Sequence, residues 1–114
     1  MTTLFGIKNC DTVKKARKWL EANNSDYTFH DFRSDGITAA QVEHWVAALG
    51  WETLINKRST TWKQLDDDTK SNLNNSSVID VILASPTLIK RPLLELNGAF
   101  SVGFKAADFE HKFL

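Results

Sequence analysis

Three features are scarce in this chain of 114 residues, and each scarcity excludes a class of protein. There is a single cysteine, so no internal disulfide can form and any redox chemistry of the thiol must involve molecules outside the chain. The 14 basic and 14 acidic side chains cancel, which removes the positive field typical of proteins that bind nucleic acid or anionic membranes. No apolar run approaches the roughly 20 residues of a membrane-spanning helix. The composition therefore predicts a cytoplasmic, soluble protein with neither nucleic acid nor a membrane as partner.

The one cysteine, Cys10, lies in a polar turn between an apolar segment that ends at Ile7 and a helical pattern that follows. The first backbone N–H groups of a helix have no intrahelical partner and the helix dipole is positive there, so a sulfur at this point is stabilised as thiolate. From Lys8 to Lys18 the sequence has five basic residues and one acidic residue, Asp11. Because the thiolate is the reactive form of cysteine, this pattern favours Cys10 as a nucleophile.

Simpler interpretations remain open for these residues. A lone cysteine in a cytosolic protein is often a small core residue, although Asn9, Asp11 and Thr12 make this a polar turn and not a packing run. Most of the basic side chains fit an ordinary solvated helix face. Lys14 is the exception, because it lies one turn beyond Cys10 and can share the side of the helix that carries the sulfur.

The start of the chain predicts a strand, a helix and a second strand in close succession. The first strand spans Thr2–Ile7, and the second is the alternating segment over residues 27–32. A unit of this kind has parallel strands joined by a right-handed connection. The carboxyl ends of both strands should therefore meet at the sheet edge that carries Cys10.

Three polar residues near the end of the second strand are candidates for that edge. Asp31 and Arg33 should lie near the mouth of the site, unless they only pair with each other on the surface. His30 is a candidate general base for Cys10 or, alternatively, a histidine satisfied within the sheet; a helix terminus can generate the thiolate without a base. The three histidines and the one cysteine have no spacing typical of metal ligands, so we expect no metal site.

A long helical region follows the second strand. Thr38 with Gln41 forms a capping box that begins the next helix, and Gly50 ends it. The polar, irregular segment over about 51–85 then predicts a helical insertion within a single domain that covers residues 1–114.

The end of the chain predicts an antiparallel hairpin and a closing helix. Asn97-Gly98 between two apolar runs is a strong signal for a two-residue turn, and Phe109 and Phe113 lie four residues apart on the last helix. The predicted order is βαβα, helical insertion, ββα, which is an α/β chain with a mixed four-stranded sheet.

This order, with a cysteine after the first strand and Arg91-Pro92 before the third, resembles the thioredoxin-like fold of the arsenate reductase (ArsC) family. Within that family it looks most like the YffB branch, whose relatives include the Spx regulators. The resemblance covers essentially the whole chain. The motifs that carry it are FGIKNCDTVKKARKWL, HDFRSDGI, NKRSTTW, LIKRP and VGFK.

The resemblance implies a site around Cys10, which matches the nucleophilic cysteine of the family. Arg91 matches the family's arginine before the proline, Pro92, and implies that the bond between them is cis. Lys105 falls where the family has a further arginine. The family's remaining arginine has no direct match, since it aligns with Asn56, and Arg58 lies two residues later.

Two other positions depart from the arsenate reductase pattern, which has an arginine where this chain has Lys14 and a histidine where it has Gly6. The second cysteine of thioredoxins and glutaredoxins is Val13 here, which agrees with the arsenate reductase branch. The resemblance thus implies that Cys10 is the nucleophile. The residues that it implies for binding an oxyanion or glutathione are Arg91, Arg58, Lys105, Lys14, Pro92 and Asn9.

Three functions follow as hypotheses. The leading one is a glutathione-dependent thiol reductase or transferase with a single nucleophilic cysteine, glutathione as cosubstrate, glutaredoxin as a candidate partner and a small oxyanion or disulfide as substrate. The second is a non-enzymatic, protein-binding regulator like Spx, although the paired CxxC of Spx-type sensors is absent. The third is a genuine arsenate reductase.

Overall fold

A computed structural model describes every residue from Met1 to Leu114 and confirms the predicted order of elements. The elements are β1 (Thr2–Gly6), α1 (Asp11–Ala22), β2 (Thr28–Asp31), α2 (Ala39–Leu49), α3 (Trp51–Leu54), α4 (Thr60–Gln64), α5 (Asp67–Ser71), α6 (Ser77–Ala84), a 3₁₀ turn (Pro86–Leu88), β3 (Leu93–Leu96), β4 (Ala99–Val102) and α7 (Ala106–Phe113). No helix is long and apolar enough to cross a membrane.

The chain divides into two compact units. The first unit comprises Met1–Gly36 and Arg91–Leu114, and the second comprises Ile37–Lys90. The first unit contains the whole sheet with α1 and α7, and the second contains α2 to α6. That the chain is one domain with a helical insertion over about 51–85 stays a prediction.

The sheet of the first unit has the strand order β2-β1-β3-β4. β1 and β2 are parallel, whereas β3 is antiparallel to both β1 and β4. Consequently β1, β2 and β4 all end at the same edge of the sheet at which β3 begins. This edge, which we call the Cys10 edge because the segment after β1 contains Cys10, is where the segments after β1, β2 and β4 and before β3 come together.

One face of the sheet is covered by α1 and α7. Leu4 and Leu94 lie opposite each other on neighbouring strands, and both are fully buried. They form a core cluster with Ala16, Leu20 and Phe109 from the two helices. The apolar stripe of α1 therefore fixes this helix against β1, and with it the position of the turn that precedes the helix.

The hairpin between β3 and β4 has the turn that the sequence predicts. Asn97 and Gly98 have φ angles of 52° and 86°, so both lie in the left-handed region that a type I′ turn requires. The side chain of Asn97 also accepts a hydrogen bond from the N-terminal ammonium of Met1 at 2.8 Å.

The second unit begins with the predicted capping box. The Thr38 hydroxyl accepts from the N–H of Gln41, the Gln41 side chain accepts from the N–H of Thr38, and α2 ends at Gly50. An isolated antiparallel bridge joins Ile55 to Ile89, both of them buried. This bridge fixes the last segment of the second unit.

Candidate active site

The turn between β1 and α1 places Cys10 at this edge of the sheet, the Cys10 edge. The N–H of Cys10 donates to the carbonyl of Ile7 at 3.3 Å and closes the turn. Cys10 has an extended backbone (φ −95°, ψ 125°) and is the N-cap of α1, and its carbonyl accepts the first helical hydrogen bond from Lys14 at 3.0 Å. The thiol is half-buried and free. It therefore lies at the end of a 12-residue helix where unpaired N–H groups and the helix dipole favour a negative charge.

Arg91 and Pro92 approach the same edge from the start of β3. The Arg91-Pro92 bond is cis, as the resemblance implied. Phe5 pairs with Leu93, so Arg91 and Pro92 follow the line of β3 past the end of β1 toward the turn with Cys10. The carbonyl of Pro92 accepts from the N–H of Gly103 at 2.9 Å, which ties the end of β4 to this segment.

The basic candidates differ in where they lie. Lys105 follows β4 and is the N-cap of α7, so its backbone is at the Cys10 edge, and its side chain is exposed. Lys14 and Asn9 flank Cys10 in the chain and are also exposed. Arg58 belongs to the second unit, where its N–H donates to the side chain of Asn56 at 3.0 Å, and its role stays a prediction.

Gly6, the last residue of β1, is in close contact with Val13. A Cβ atom on Gly6 would lie 2.7 Å from Cγ2 of Val13, which is fully buried on the inner side of α1. Gly6 and Val13 are therefore packed against each other. Both lie at positions that the sequence analysis singled out, Gly6 in place of a histidine and Val13 in place of a second cysteine. A larger side chain at Gly6 requires a change at Val13.

Asp31 is the residue whose importance the sequence did not reveal. The interpretation that it pairs with Arg33 on the surface is wrong: Asp31 is only 5% exposed, and its carboxylate accepts from backbone N–H groups. One oxygen accepts from Arg33 at 2.7 Å and Ser34 at 3.1 Å, and the other accepts from Lys8 at 3.2 Å. An aspartate at a strand end, followed by polar residues, is the sequence signal of such a turn.

His30 is satisfied by its own loop. Its Nε2 lies 2.6 Å from the carbonyl oxygen of Gly36, and its ring centroid lies 5.0 Å from that of Phe5. These contacts are those of a histidine held within the sheet and the following loop, and they favour that interpretation over a general base.

The fold and the single cysteine at the Cys10 edge define a thioredoxin-like protein with one free thiol at the N-terminus of α1. Residues 5–111 match the model of the ArsC family, so the chain belongs to the ArsC family.

Three relatives illustrate the range of this family. A solved structure of a YffB protein superposes over 100% of both chains with a TM-score of 0.95 and 41% identity. An uncharacterized protein of Haemophilus influenzae is 42% identical over 99% of each chain. The global transcriptional regulator Spx of Streptococcus pyogenes is 29% identical over 91% of this chain and 78% of its own length.

Proposed function

We propose that the protein is a glutathione-dependent thiol reductase of the ArsC family in which Cys10 is the nucleophile. The observation that carries the proposal is the position of the one cysteine at the N-terminus of α1, on the edge of the sheet that also receives Arg91, Pro92 and the segment before Lys105. A thiolate is the nucleophile that such a helix end stabilises.

The reaction proceeds in two exchanges. The Cys10 thiolate attacks the glutathionyl sulfur of a mixed disulfide, the S–S bond breaks, and the substrate leaves as a thiolate that takes a proton from water. A second glutathione thiolate then attacks the Cys10 adduct, releases oxidised glutathione and regenerates Cys10. An external thiol is required because the chain has no second cysteine to resolve the adduct. Glutaredoxin is a candidate partner for this second step.

The basic groups hold the anionic parts of the substrate. Arg91 presents a planar guanidinium that can bind a carboxylate through two parallel hydrogen bonds. Lys105 and Lys14 add point charges, and Asn9 adds a polar side chain in the turn. Since the reaction consumes reduced glutathione, the cytoplasm, where thiols are kept reduced, is its proposed location.

Arsenate reduction is the less favoured activity. A tetrahedral oxyanion must be held against a nucleophile of the same charge, which calls for several fixed, convergent donors. The chain has lysines at two positions where arsenate reductases have arginines, and a lysine does not reproduce the bidentate geometry of a guanidinium. We expect an adduct with glutathione at Cys10 and little or no arsenate turnover.

A paired experiment tests the proposal. The purified protein is treated with oxidised glutathione, and intact mass is expected to show one glutathionyl adduct that is absent in Cys10→Ser. Arsenate turnover is measured in parallel, coupled to glutathione and glutaredoxin. Absence of the adduct would contradict the proposal, and robust arsenate turnover would show that the lysines are sufficient.

A protein-binding regulator is the second candidate, because one relative is the transcriptional regulator Spx. Removal of the Cys10 thiol by the substitution Cys10→Ser discriminates the two functions. If the protein acts by binding alone, its effect in cells survives Cys10→Ser. The proposed reductase loses all activity in this variant.

A further inference from the structure

The carboxylate of Asp31 joins two loops of the Cys10 edge. One oxygen accepts from Lys8, two residues before Cys10, in the turn between β1 and α1. The other oxygen accepts from Arg33 and Ser34 in the loop after β2. A single side chain therefore links the backbone of the turn that carries the thiol to a separate loop of the sheet edge.

The backbone around Asp31 fixes the side chain from its own side. The N–H of Asp31 donates to the side chain of Asp35 at 3.0 Å, and the N–H of Asp35 donates to the carbonyl of Asp31 at 2.8 Å. Next to it, the N–H of Phe32 donates to the carbonyl of Gly6 at 2.8 Å. These bonds fix the backbone from which the Asp31 carboxylate reaches the turn between β1 and α1.

The hydrogen bonds also determine the charge of this carboxyl. Burial raises the pKa of Asp31, but hydrogen bonds from the N–H groups of Ser34, Arg33 and Lys8, with the charge of Lys8, bring the pKa below its usual value. Asp31 is thus a carboxylate at neutral pH, and each of the three N–H groups has an acceptor.

We propose that Asp31 is a positioning residue for Cys10, which fixes the turn from Lys8 to Cys10 so that the sulfur lies at the N-terminus of α1. The inference rests on the proposed role of Cys10 as a nucleophile. Two hydrogen bonds of similar length hold this short turn, from the N–H of Cys10 to Ile7 at 3.3 Å and from the N–H of Lys8 to Asp31 at 3.2 Å, and only the second one joins the turn to another loop. A displaced sulfur no longer benefits from the N–H groups at the start of the helix.

Asp31→Asn tests this link because it keeps the size of the side chain. The amide oxygen of the variant can still accept from Arg33 and Ser34, but its NH₂ group then faces the N–H of Lys8, and two donors cannot bond. Asp35→Asn is the matched control, since it makes the same substitution in the same loop and its amide oxygen can still accept from Asp31. Asp31→Glu is a second variant, which keeps the charge but moves the carboxylate by one methylene.

Three measurements decide the matter. Amide hydrogen exchange reports the bond of Lys8, circular dichroism melting reports the fold, and the rate of alkylation by iodoacetamide at fixed pH reports the reactivity of Cys10. We expect Asp31→Asn to lose protection at Lys8, to remain folded at 25 °C, and to be alkylated about two- to fivefold more slowly, the change expected when a charged sulfur loses its interaction with a helix N-terminus. Asp35→Asn should match the wild type. If Asp31→Asn does not fold, the same comparison is made with Asp31→Glu, for which we also expect slower alkylation.

An alkylation rate that is unchanged in a folded variant, whether or not the melting temperature falls, would show that Asp31 is only structural and would overturn the proposal. Because iodoacetamide needs no glutathione site, this outcome is independent of the glutathione adduct. A missing adduct in the wild type contradicts the proposed function alone, whereas an unchanged alkylation rate contradicts the positioning role alone.

Discussion

The substitution Gly6→Ala is a direct test of the packing beneath the Cys10 edge. The new Cβ would lie 2.7 Å from Cγ2 of Val13. Ordinary carbon contacts lie at about 3.5–4.0 Å, so one of the two groups must move by about 1 Å. Val13 is fully buried and branched at Cβ, and it has little freedom to move away.

The magnitude is a balance of two effects. An extra methyl group in a packed core costs about 1–3 kcal/mol. Alanine also restricts the unfolded chain more than glycine does, which returns about 0.5–1 kcal/mol when the native backbone suits it. We expect Gly6→Ala to lower the free energy of unfolding by about 0.5–2 kcal/mol.

A double-mutant cycle with Val13→Ala supplies the control. Val13→Ala alone should cost about 2 kcal/mol through the lost apolar burial. In that background the contact at Gly6 is gone, so Gly6→Ala should become neutral or stabilising by up to about 1 kcal/mol. The assay is urea unfolding followed by circular dichroism for the four proteins. If Gly6→Ala destabilises equally in both backgrounds, the contact with Val13 is not the cause and the reasoning is refuted.

Two further predictions concern stability. Asp31→Asn should reduce the free energy of unfolding most at neutral pH, because the pKa of Asp31 is lower in the folded protein than in the unfolded chain. The stabilisation by this carboxylate is present above about pH 4 and is lost as the pH falls through the folded pKa. The unfolding curves of the variant and the wild type should therefore converge in acid. A difference that stays constant with pH would contradict the role of the charge. Thr38→Ala removes the acceptor of the N–H of Gln41 and should lower the free energy of unfolding in urea by about 1 kcal/mol. The control Thr53→Ala, at an exposed site in α3, should change stability little. Equal effects of the two substitutions would contradict the capping role.

Local patterns were enough to predict most of the fold. The Thr38 capping box and the Asn97-Gly98 turn depend on neighbouring residues in the chain, and both appear in the structure. The strand limits were less accurate. β1 ends at Gly6 and β2 at Asp31, each one residue earlier than predicted, because strand ends depend on pairing with another strand.

The short helices were harder to predict. The sequence predicts a helical insertion but does not delimit α5 within it. The only local mark of this helix is its cap, where the side chain of Asp66 accepts from the N–H of Thr69. Helices of four or five residues have too few positions to show a period, so only a cap marks them.

The sequence alone determined the candidate nucleophile, because the chain has one cysteine and it lies at a junction of strand and helix. The motifs along the chain also indicated the family. Only the tertiary structure decided the surroundings of that cysteine. The bond from Lys8 to Asp31 joins residues 23 positions apart, and the contact between Gly6 and Val13 depends on how α1 packs on β1. Both depend on the pairing of β1 with β2 and on the packing of a helix across it. Residue spacing does not encode such contacts, because they are set by which strands become neighbours and which side chains the sheet brings face to face.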